Sequence, residues 1–244
     1  MKILVCISKV PDTTAKISFT DGGSSFNTDG VQFIMNPYDE WYALVRALEL
    51  KEAQGGSVSV VNVGTSTNDT IIRKALAIGA DDAIRVNVEA SSSMFVAKQI
   101  AEVAKDYDIV FTGKETINYN SSEIGAMIAE FLDQPFISYA NHMEMAGNTA
   151  TITREIEGGH EVVEVTTPFV LSAAKGLAEQ RIPNMRGIMM AKRKPLKVVE
   201  AVAFEDAAVP VHYSLPDEGS ETVYVEPDNM SELVRLLHEE AKVI

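Results

Sequence analysis

Over residues 1–135, short apolar runs alternate with segments whose apolar positions recur at helical spacing. The runs at residues 3–7, 58–63 and 109–111 contain mainly valine, isoleucine and other apolar residues, and residues 83–88 alternate apolar and polar residues. Such runs are typical of parallel strands that are buried on both faces. The alternation predicts an α/β fold with a doubly wound, mostly parallel sheet of the Rossmann-like, adenine-nucleotide-binding kind.

The predicted helices carry start and stop residues as well as apolar stripes. Asn36 is predicted to cap the first helix, with Pro37 in its first position and Asp39 and Glu40 in its positive first turn. Another helix is predicted to end at Gly79. The core-facing stripes of these helices and of one further helix are formed by Trp41, Leu44, Val45 and Leu48, then Ile71, Ile72, Ala75 and Leu76, and later Ile124, Met127, Ile128, Phe131 and Leu132.

The pattern changes after residue 135. Residues 149–154 and 161–166 alternate in polarity on either side of a Gly-Gly turn, which predicts an added antiparallel hairpin. Residues 168–173 predict one more apolar strand.

The last part of the chain predicts an arm rather than a second core. Residues 174–228 have little periodicity and hold five of the nine prolines. Ser231 is predicted to cap a short terminal helix over residues 231–242. A long arm without a core of its own is uncommon in a compact monomer, so we expect it to lie on this domain or on a partner.

Charge argues against two classes of partner. The net charge is −14, which makes nucleic acid or an anionic membrane surface an unfavourable partner. Residues 180–199 contain six lysines and arginines and no acidic residue, whereas residues 200–231 contain eight acidic residues and no lysine or arginine. This asymmetry fits surfaces for protein contacts, and it fits ordinary solvated faces equally well.

The single cysteine and the absence of long apolar runs bear on location. Cys6 lies in the first predicted strand, where it is most simply a small core residue. No apolar run approaches the roughly 18 residues of a membrane span, and the N-terminus reads as a strand rather than a signal peptide. We therefore expect a cytoplasmic protein without a membrane span.

Four segments follow predicted strands at what would be the same edge of the sheet: residues 8–14, 36–39, 63–67 and 113–125. In doubly wound sheets, ligands bind beyond the carboxyl ends of the strands and against helix N-termini. Together these segments describe a cleft for an adenine nucleotide, although any such sheet must have loops of this kind.

Motifs for catalysis are missing from the sequence. Gly113 and Lys114 do not form a phosphate-binding P-loop, because no glycine precedes them at the required spacing, and no G-x-G-x-x-G motif occurs. The four histidines have no metal-ligand spacing, so no metal site is predicted. No nucleophile–base arrangement can be assigned. This favours a binding or carrier protein over a hydrolase or transferase.

Six segments in register resemble the β subunit of electron-transfer flavoprotein, over nearly the whole chain to about Leu196. They begin with Val10-Pro11-Asp12 and Met35-Asn36-Pro37-Tyr38-Asp39-Glu40. The others are residues 63–84, the loop from Gly113-Lys114-Glu115-Thr116-Ile117 to Gly125, the hairpin Arg154-Glu155-Ile156-Glu157-Gly158-Gly159, and residues 181–194.

The resemblance implies a heterodimer with an α subunit that holds most of an FAD. It implies that this chain touches the flavin through Thr13 and Tyr38. It also implies AMP as a structural ligand in this chain, or a second FAD in the electron-bifurcating members. The matching positions are Cys6, Asn36, Pro37, Tyr38, Asp39, Val63, Gly113, Lys114, Asn118, Asn120, Ser121, Ser122, Glu123, Ile124 and Gly125.

The chain departs from the family pattern at this nucleotide loop. Asn118 and Asn120 stand where the family has an acidic pair, and Thr65 replaces a usual proline. Glu123 follows Asn120 at capping-box spacing, which predicts that its carboxylate occupies the helix N-terminus that a phosphate would need. The departure bears on AMP occupancy rather than on the fold.

The family's recognition segment, residues 176–196 here, docks flavin dehydrogenases such as acyl-CoA dehydrogenases. Met185 matches its apolar anchor, with Lys192, Arg193 and Lys194 as basic residues behind it. Alternatively, Met185 is an ordinary buried loop residue. The resemblance thus divides the chain into a domain over residues 1–196 and an arm over residues 197–244 that packs on the partner subunit.

The sequence therefore predicts an electron-carrier subunit rather than an enzyme. It would accept electrons from flavin dehydrogenases through the shared FAD and pass them to a downstream acceptor. The alternatives are an electron-bifurcating form with a second FAD, and a non-redox nucleotide-binding protein of similar fold.

Overall fold

One central sheet organises the computed structural model, which describes residues 1–206, 208–217, 219 and 222–244. The strands in chain order are β1 (Lys2–Cys6), β2 (Lys9–Pro11), β3 (Phe19–Thr20), β4 (Ser25–Phe26), β5 (Phe33–Met35), β6 (Ser57–Val63), β7 (Asp82–Asn87), β8 (Ile109–Gly113), β9 (Phe136–Ala146), β10 (Thr149–Ile156), β11 (Gly159–Thr166), β12 (Phe169–Ala173) and β13 (Leu196–Glu200). The helices are α1 (Asp39–Gln54), α2 (Asp69–Ile78), α3 (Ser93–Ala104), α4 (Ile124–Leu132), α5 (Met185–Ala191) and α6 (Met230–Arg235).

The sheet has the order β11-β10-β9-β12-β8-β1-β6-β7-β13. The six neighbouring pairs from β9 to β13 are parallel, and the pairs β9–β10 and β10–β11 are antiparallel. The predicted doubly wound, mostly parallel fold is therefore confirmed. The chain winds outward from β1 in both directions, which creates a switch point between β1 and β8 where ligands bind in such sheets.

Both faces of the central strands are buried, as the continuous apolar runs predicted. In β1, Ile3 and Val5 point into a core shared with α1 and α2, whereas Leu4 and Cys6 point into a core shared with α3 and α4. Successive side chains of a strand point to opposite faces, so a strand covered on both sides is apolar throughout.

The predicted hairpin is confirmed, but it belongs to a three-stranded antiparallel unit. The sequence did not predict β9, because its second half, Asn-His-Met-Glu-Met, interrupts the apolar pattern with polar residues. The strand predicted at residues 168–173 is β12.

The boundary between the domain and the arm differs from the prediction. Residues 196–200 form β13, which pairs in parallel with β7 at the edge of the sheet. The first residues of the predicted arm thus belong to the sheet. A five-residue edge strand with exposed lysine and glutamate side chains leaves only a weak apolar signal.

The terminal helix begins one residue earlier than predicted. Asn229 precedes its first residue, Met230, so Ser231 lies inside the first turn and is not the cap. A five-residue turn, Leu236–Glu240, extends the helix almost to its predicted end. Among the described residues, no helix combines the length and the apolar character that a membrane crossing would require.

Candidate functional site

A cleft of about 290 Å³ lies at the carboxyl ends of the central strands. Its walls are the segments that follow β1, β6, β7 and β8, including Ser8, Gly64, Ser92 and Lys114. It therefore sits at the switch point of the sheet, where the fold class predicts a ligand site.

The cleft combines an apolar floor with helix N-termini. The N-terminal ends of α2, α3 and α4 all reach the lining, through Asn68, Ser92 and Glu123. The first N–H groups of a helix have no partner inside the helix, and the dipole makes this end positive. An anionic group would be stabilised there. The apolar lining is formed by Cys6, Val63, Val96, Ile100 and Ile124.

Among the described residues of the lining, acidic side chains outnumber basic ones. Lys9 and Lys114 are its basic residues. Lys114 is paired with Glu115 at 3.0 Å, and hydrogen bonding to Glu115 raises the pKa of Lys114. Its positive charge is thus partly offset before a ligand arrives. The acidic lining residues are Glu40, Glu89, Glu115 and Glu123.

Glu40 is a buried carboxyl group in the wall of the cleft. One of its oxygens accepts a hydrogen bond of 2.7 Å from the Ser8 backbone N–H. Burial raises the pKa of Glu40 to about 8, against the opposing effect of that hydrogen bond. Gly113 packs against it so closely that a Cβ on Gly113 would lie 2.9 Å from Glu40 Cγ. The glycine is therefore required by this contact.

A second cavity, of about 240 Å³, lies on the other side of the Lys114–Glu115 segment. Tyr38 borders it, with a backbone φ of 65° and ψ of −105° and a side chain that is 53% exposed. A bulky residue in this left-handed region is strained, and such strain is found often at functional sites. The other lining residues are Pro37, Asp39, Tyr42, Lys114, Glu115, Ile117 and Lys175.

Asp39 contributes a half-buried carboxyl group to this second cavity. Its pKa is raised, mainly by burial, while the nearby Lys114 ammonium group acts in the opposite direction. Because Lys114 lines both cavities, a ligand in either one would change the electrostatic environment of this lysine.

Asn36 has a different role from the predicted helix cap. Its side chain is fully buried, and it accepts a 3.0 Å hydrogen bond from the Ile117 N–H and donates a 3.1 Å bond to the Glu115 carbonyl. Tyr38 is the residue that precedes α1. Asn36 thus fixes the loop after β8 to the start of α1, a long-range role that local capping preferences do not reveal.

The predicted capping box at the fourth helix is also wrong. Glu123 immediately precedes α4, but its side chain makes no capping hydrogen bond. Asn120 and Ser122 both adopt positive φ, 53° and 55°. The Ser122 hydroxyl donates instead to Glu115 at 3.3 Å. α4 begins at Ile124, four residues after Asn120, so Asn120 does not occupy the cap position that a capping box requires.

Most of the predicted nucleotide-site residues lie together. Those in the cleft lining are Cys6, Val63, Gly113, Lys114, Asn118, Ser121, Ser122, Glu123, Ile124 and Gly125. Pro37, Tyr38 and Asp39 line the second cavity, whereas Asn36 is buried between the loops. Asn120 lies outside both linings. Thr13 is exposed and follows β2, which pairs antiparallel with β5. In this pairing, Pro11 lies opposite Phe33 and Lys9 lies opposite Met35. Thr13 therefore lies at the end of the β2–β5 pair that is farther from Tyr38.

The sequence reasoning missed the wall of the cleft that follows β7, residues 89–93. A signal was present, since Ser91-Ser92-Ser93 precedes an apolar helical segment. Ser92 is the N-cap of α3, and its hydroxyl accepts a 3.1 Å hydrogen bond from the Phe95 N–H.

The predicted recognition segment carries an exposed apolar helix. Met185 is the first residue of α5 and is 75% exposed, which excludes the alternative of a buried loop residue. Asn184 caps this helix by accepting a 2.8 Å hydrogen bond from the Gly187 N–H. Neighbouring exposed apolar residues that the sequence reasoning missed are Ile182, Ile188, Met189 and Met190.

Of the three predicted basic residues, two are exposed and one is structural. Lys192 and Arg193 face solvent. Lys194 instead donates to the carbonyl oxygens of Leu76 at 2.9 Å, Gly79 at 3.3 Å and Ala80. Its ammonium group therefore binds carbonyls at and just beyond the C-terminus of α2, and its partial burial lowers its pKa.

Further contacts clamp the recognition segment onto the domain. The Trp41 indole N–H donates to the Arg181 carbonyl at 3.1 Å, and the Arg181 guanidinium group pairs with Glu52 at 2.6 Å. Arg73 donates to the carbonyls of Ala191 and Lys194. The segment is thus anchored at both ends while α5 remains exposed between them.

Comparisons with known proteins agree with this architecture. A family model described as the electron transfer flavoprotein domain matches residues 24–204. The chain is 34% identical to the electron transfer flavoprotein subunit beta of Bacillus subtilis, with 100% of each chain covered. It is 36% identical to the subunit of the same name from Syntrophomonas wolfei, with 93% of this chain and 91% of the relative covered. It is 33% identical to protein FixA of Azotobacter vinelandii, with 83% and 76% covered.

These matches span the sheet, the cleft and the recognition segment together, so they cover more than a common fold. The names of these relatives give electron transfer as the role of their complexes. This chain belongs to the electron transfer flavoprotein family, as a β subunit with a role in electron transfer.

Proposed function

We propose that this chain pairs with an α subunit that holds most of an FAD, and that it forms one wall of the flavin site. The second cavity carries this proposal. It joins a strained, half-exposed Tyr38 to the amines of Lys114 and Lys175 at the surface of the domain. An aromatic ring and ammonium groups are suited to contact a flavin ring and its phosphates. The bound FAD would supply the electron-accepting and electron-donating chemistry.

The chain's own residues would position the FAD and exclude solvent from it, and they would not react themselves. Asn36 fixes the loop that carries Lys114, and Glu40 fixes the loop after β1 through Ser8. Both contacts hold the wall of the flavin site rigidly, and electron transfer depends on the distance and environment of the cofactor. Thr13 lies apart from Tyr38, so we assign the flavin contact to Tyr38 first.

We further propose that the larger cleft binds an adenine nucleotide, AMP being the best candidate. Its apolar floor, with Val63, Val96 and Ile100, suits an adenine ring, and the N-terminus of α4 offers backbone donors for a phosphate. The carboxylates of Glu89, Glu115 and Glu123 in the lining oppose the phosphate, so we expect AMP to bind weakly.

The size of the cleft favours AMP over a second FAD. At about 290 Å³, it lies at the small end of the range for ligand pockets. An FAD contains an AMP joined to a flavin mononucleotide and needs far more room. We therefore propose a non-bifurcating carrier.

We also propose that α5 docks flavin dehydrogenases, including those that act on acyl-CoA substrates. Met185 and Met189 are 75% and 69% exposed and present flexible apolar side chains, while Lys192 and Arg193 lie exposed at the end of the helix. An apolar anchor with a basic rim suits an acidic partner surface. A single buried cysteine, Cys6, supports a reducing compartment such as the cytoplasm.

The experiment is to co-express the chain with a candidate α subunit from the same genome, purify the complex, and measure its visible spectrum and nucleotide content. We expect a yellow 1:1 heterodimer with one FAD. Two flavins per heterodimer would support the bifurcating form instead. A colourless chain that does not associate with the α subunit would contradict the shared flavin site.

A further inference from the structure

The two lysines that line the cleft differ in their partners. Lys114 forms an ion pair with Glu115 at 3.0 Å. Lys9 instead donates a 3.1 Å hydrogen bond to the Thr67 hydroxyl, and its ammonium group lies over the Phe33 ring, 4.4 Å from the centroid. None of the ion pairs among the described residues involves Lys9. Within that part of the chain, the charge of Lys9 is thus open to an anionic ligand.

A chain of hydrogen bonds holds the partner of Lys9 in place. The Thr67 hydroxyl, which accepts from Lys9, donates to Asn68 Oδ1 at 3.3 Å. Asn68 Nδ2 donates to Asn62 Oδ1 at 2.9 Å, and Asn62 Nδ2 donates to the Ile7 carbonyl at 2.9 Å. Because Ile7 precedes Lys9 by two residues, the hydrogen bonds close on the loop that carries the lysine.

The two asparagines are buried polar side chains in the cleft lining. Asn62 is 3% exposed and Asn68 is 8% exposed. A buried amide is unfavourable unless it is hydrogen-bonded, and a satisfied buried network is rigid. Gly64 makes room for this network, since a Cβ on Gly64 would lie 1.9 Å from Asn68 Nδ2. The network therefore fixes Thr67 and, through it, the ammonium group of Lys9.

The carboxylates of the lining make a cation necessary for an anionic ligand. Glu115 and Glu123 follow β8, and Glu89 follows β7. Lys9 begins β2, three residues after the end of β1, and the sheet order places β1 between β8 and β6. The loop that carries Lys9 thus lies next to the loop that leads to α4, where a phosphate would meet the helix N-terminus.

We propose that Lys9 binds the phosphate group of the nucleotide and makes the cleft selective for nucleoside phosphates over uncharged nucleosides, with Thr67 and Asn68 as positioning residues. This inference rests on the proposed function in naming a nucleotide as the ligand. An ammonium group has three donors, so the bond to Thr67 leaves others for the phosphate. A lysine that is already held loses less side-chain entropy on binding than a mobile one.

The first experiment compares the affinities of the heterodimer for AMP and for adenosine by calorimetric titration. We expect Lys9→Met to lower the AMP affinity about tenfold, because charge-assisted hydrogen bonds to the phosphate are lost. The adenosine affinity should stay unchanged, and Lys9→Arg should keep most of the preference for AMP. Lys16→Met removes the same charge from an exposed lysine after β2 and is the matched control.

A double-mutant cycle tests the positioning role of Thr67. Thr67→Val keeps the shape of the side chain but removes the acceptor for Lys9, so we expect it to lower the AMP affinity about threefold and to leave adenosine unaffected. Ser66→Ala removes an exposed hydroxyl of the same turn and is the control. The double variant of Lys9→Met and Thr67→Val should bind AMP no more weakly than Lys9→Met alone, because Thr67 acts through Lys9. Effects that multiply would contradict the positioning role.

The chemical reactivity of Lys9 gives a readout that does not depend on a nucleotide. The heterodimer is treated with an N-hydroxysuccinimide ester of acetate, and the acetylation rates of Lys9 and Lys16 are followed by mass spectrometry of their peptides. AMP and inorganic phosphate should both slow the acetylation of Lys9, whereas chloride at equal ionic strength should not. The acetylation of Lys16 should be the same in all conditions.

The outcomes separate this inference from the proposed nucleotide site. Protection of Lys9 by inorganic phosphate in a heterodimer that binds neither AMP nor adenosine would support the anion-binding role and contradict the nucleotide. An equal preference for AMP over adenosine in wild type and Lys9→Met would overturn the role of Lys9 and leave the nucleotide site intact. Acetylation of Lys9 that neither AMP nor phosphate changes would also overturn it.

Discussion

The carboxyl group of Glu40 and the backbone N–H of Ser8 are joined by a 2.7 Å hydrogen bond inside the wall of the cleft. This bond ties the first turn of α1 to the loop after β1. Glu40 also packs under Gly113, the last residue of β8. One buried acid thus connects three of the segments that position the candidate flavin wall and the nucleotide cleft.

Glu40 should make the stability of the protein depend on pH between its unfolded and folded pKa values. The folded pKa, about 8, is raised above the ordinary value of 4.5. The folded state therefore holds its proton where the unfolded state has lost it, and the stability falls as the pH rises through this window. We expect Glu40→Gln to gain stability relative to wild type by on the order of 4 kcal/mol between pH 4.5 and pH 8.

The measurement is denaturant unfolding of wild type and Glu40→Gln at several pH values. The effect of the amide on packing is the same at every pH, so only the titration of Glu40 changes the stability difference between the two proteins. Glu130→Gln alters an exposed glutamate of α4 and serves as the control. A stability difference between wild type and Glu40→Gln that stays the same from pH 5 to pH 8 would show that Glu40 titrates normally.

Separate substitutions of Lys194 and Arg193 should distinguish a structural role from a docking role in the recognition segment. Lys194→Met keeps an apolar stem but removes the donor for the carbonyls of Leu76 in α2 and of Gly79 and Ala80 just after it. We expect it to lower the free energy of unfolding by about 1–2 kcal/mol, a value reduced by the partial exposure of the group. Arg193→Met should leave the stability nearly unchanged, since Arg193 is exposed. Equal unfolding midpoints for the two variants would contradict the capping role of Lys194.

The docking surface can be tested by the rate of electron uptake from a flavin dehydrogenase, followed by stopped-flow absorbance of the heterodimer flavin. Arg193→Glu should slow uptake mainly at low ionic strength, because exposed charges act on encounter and are screened by salt. Met185→Ala should slow uptake about tenfold at every salt concentration, because it removes an apolar anchor.

Lys105→Glu reverses a charge at the far end of α3 and is the control for net charge. If this control slows uptake as much as Arg193→Glu does, the effect belongs to overall charge rather than to the recognition segment. An unchanged rate in Met185→Ala would show that Met185 is not an apolar anchor of the proposed docking surface.

The sequence predicted the central sheet because its strands depend on local pattern. Residues 3–7 are apolar throughout, and β1 is buried on both faces as that pattern requires. By contrast, Asn36 was assigned to a local cap, and its true partners, Glu115 and Ile117, lie far away in the chain. Lys194 was assigned to a surface for the same reason. Polar side chains in long-range contacts leave no periodic signal, so their roles emerged only from the fold.

The candidate site, too, was predicted correctly where its residues depend on local sequence pattern. The residues of the loop before α4 were found because a strand and a helix flank them, and most of them line the cleft. The capping box at Asn120 and Glu123 was wrong because it assumed ordinary backbone angles. Positive φ at Asn120 and Ser122 breaks that geometry, and spacing alone does not reveal it.

Glu123 should weaken AMP binding by its charge rather than by capping the helix. Glu123 lines the cleft immediately before α4, at the helix N-terminus where a phosphate would otherwise be stabilised. A charge at a helix N-terminus changes the free energy by ~0.3–1 kcal/mol. We therefore expect Glu123→Gln to raise AMP affinity about two- to fivefold, because one repulsion is removed while the backbone donors remain.

The measurement is calorimetric titration of AMP into the heterodimer after bound nucleotide has been extracted and quantified by chromatography. Glu130→Gln, on the exposed side of α4, controls for the change in net charge and should leave the affinity unchanged. The affinity gain should also shrink with added salt to the extent that the cleft is open to solvent. Stoichiometric AMP with equal affinity in wild type and Glu123→Gln would show that this carboxylate does not face the phosphate. AMP would then be held by contacts on the opposite wall, where Gly64 and Thr65 lie at the entry to α2.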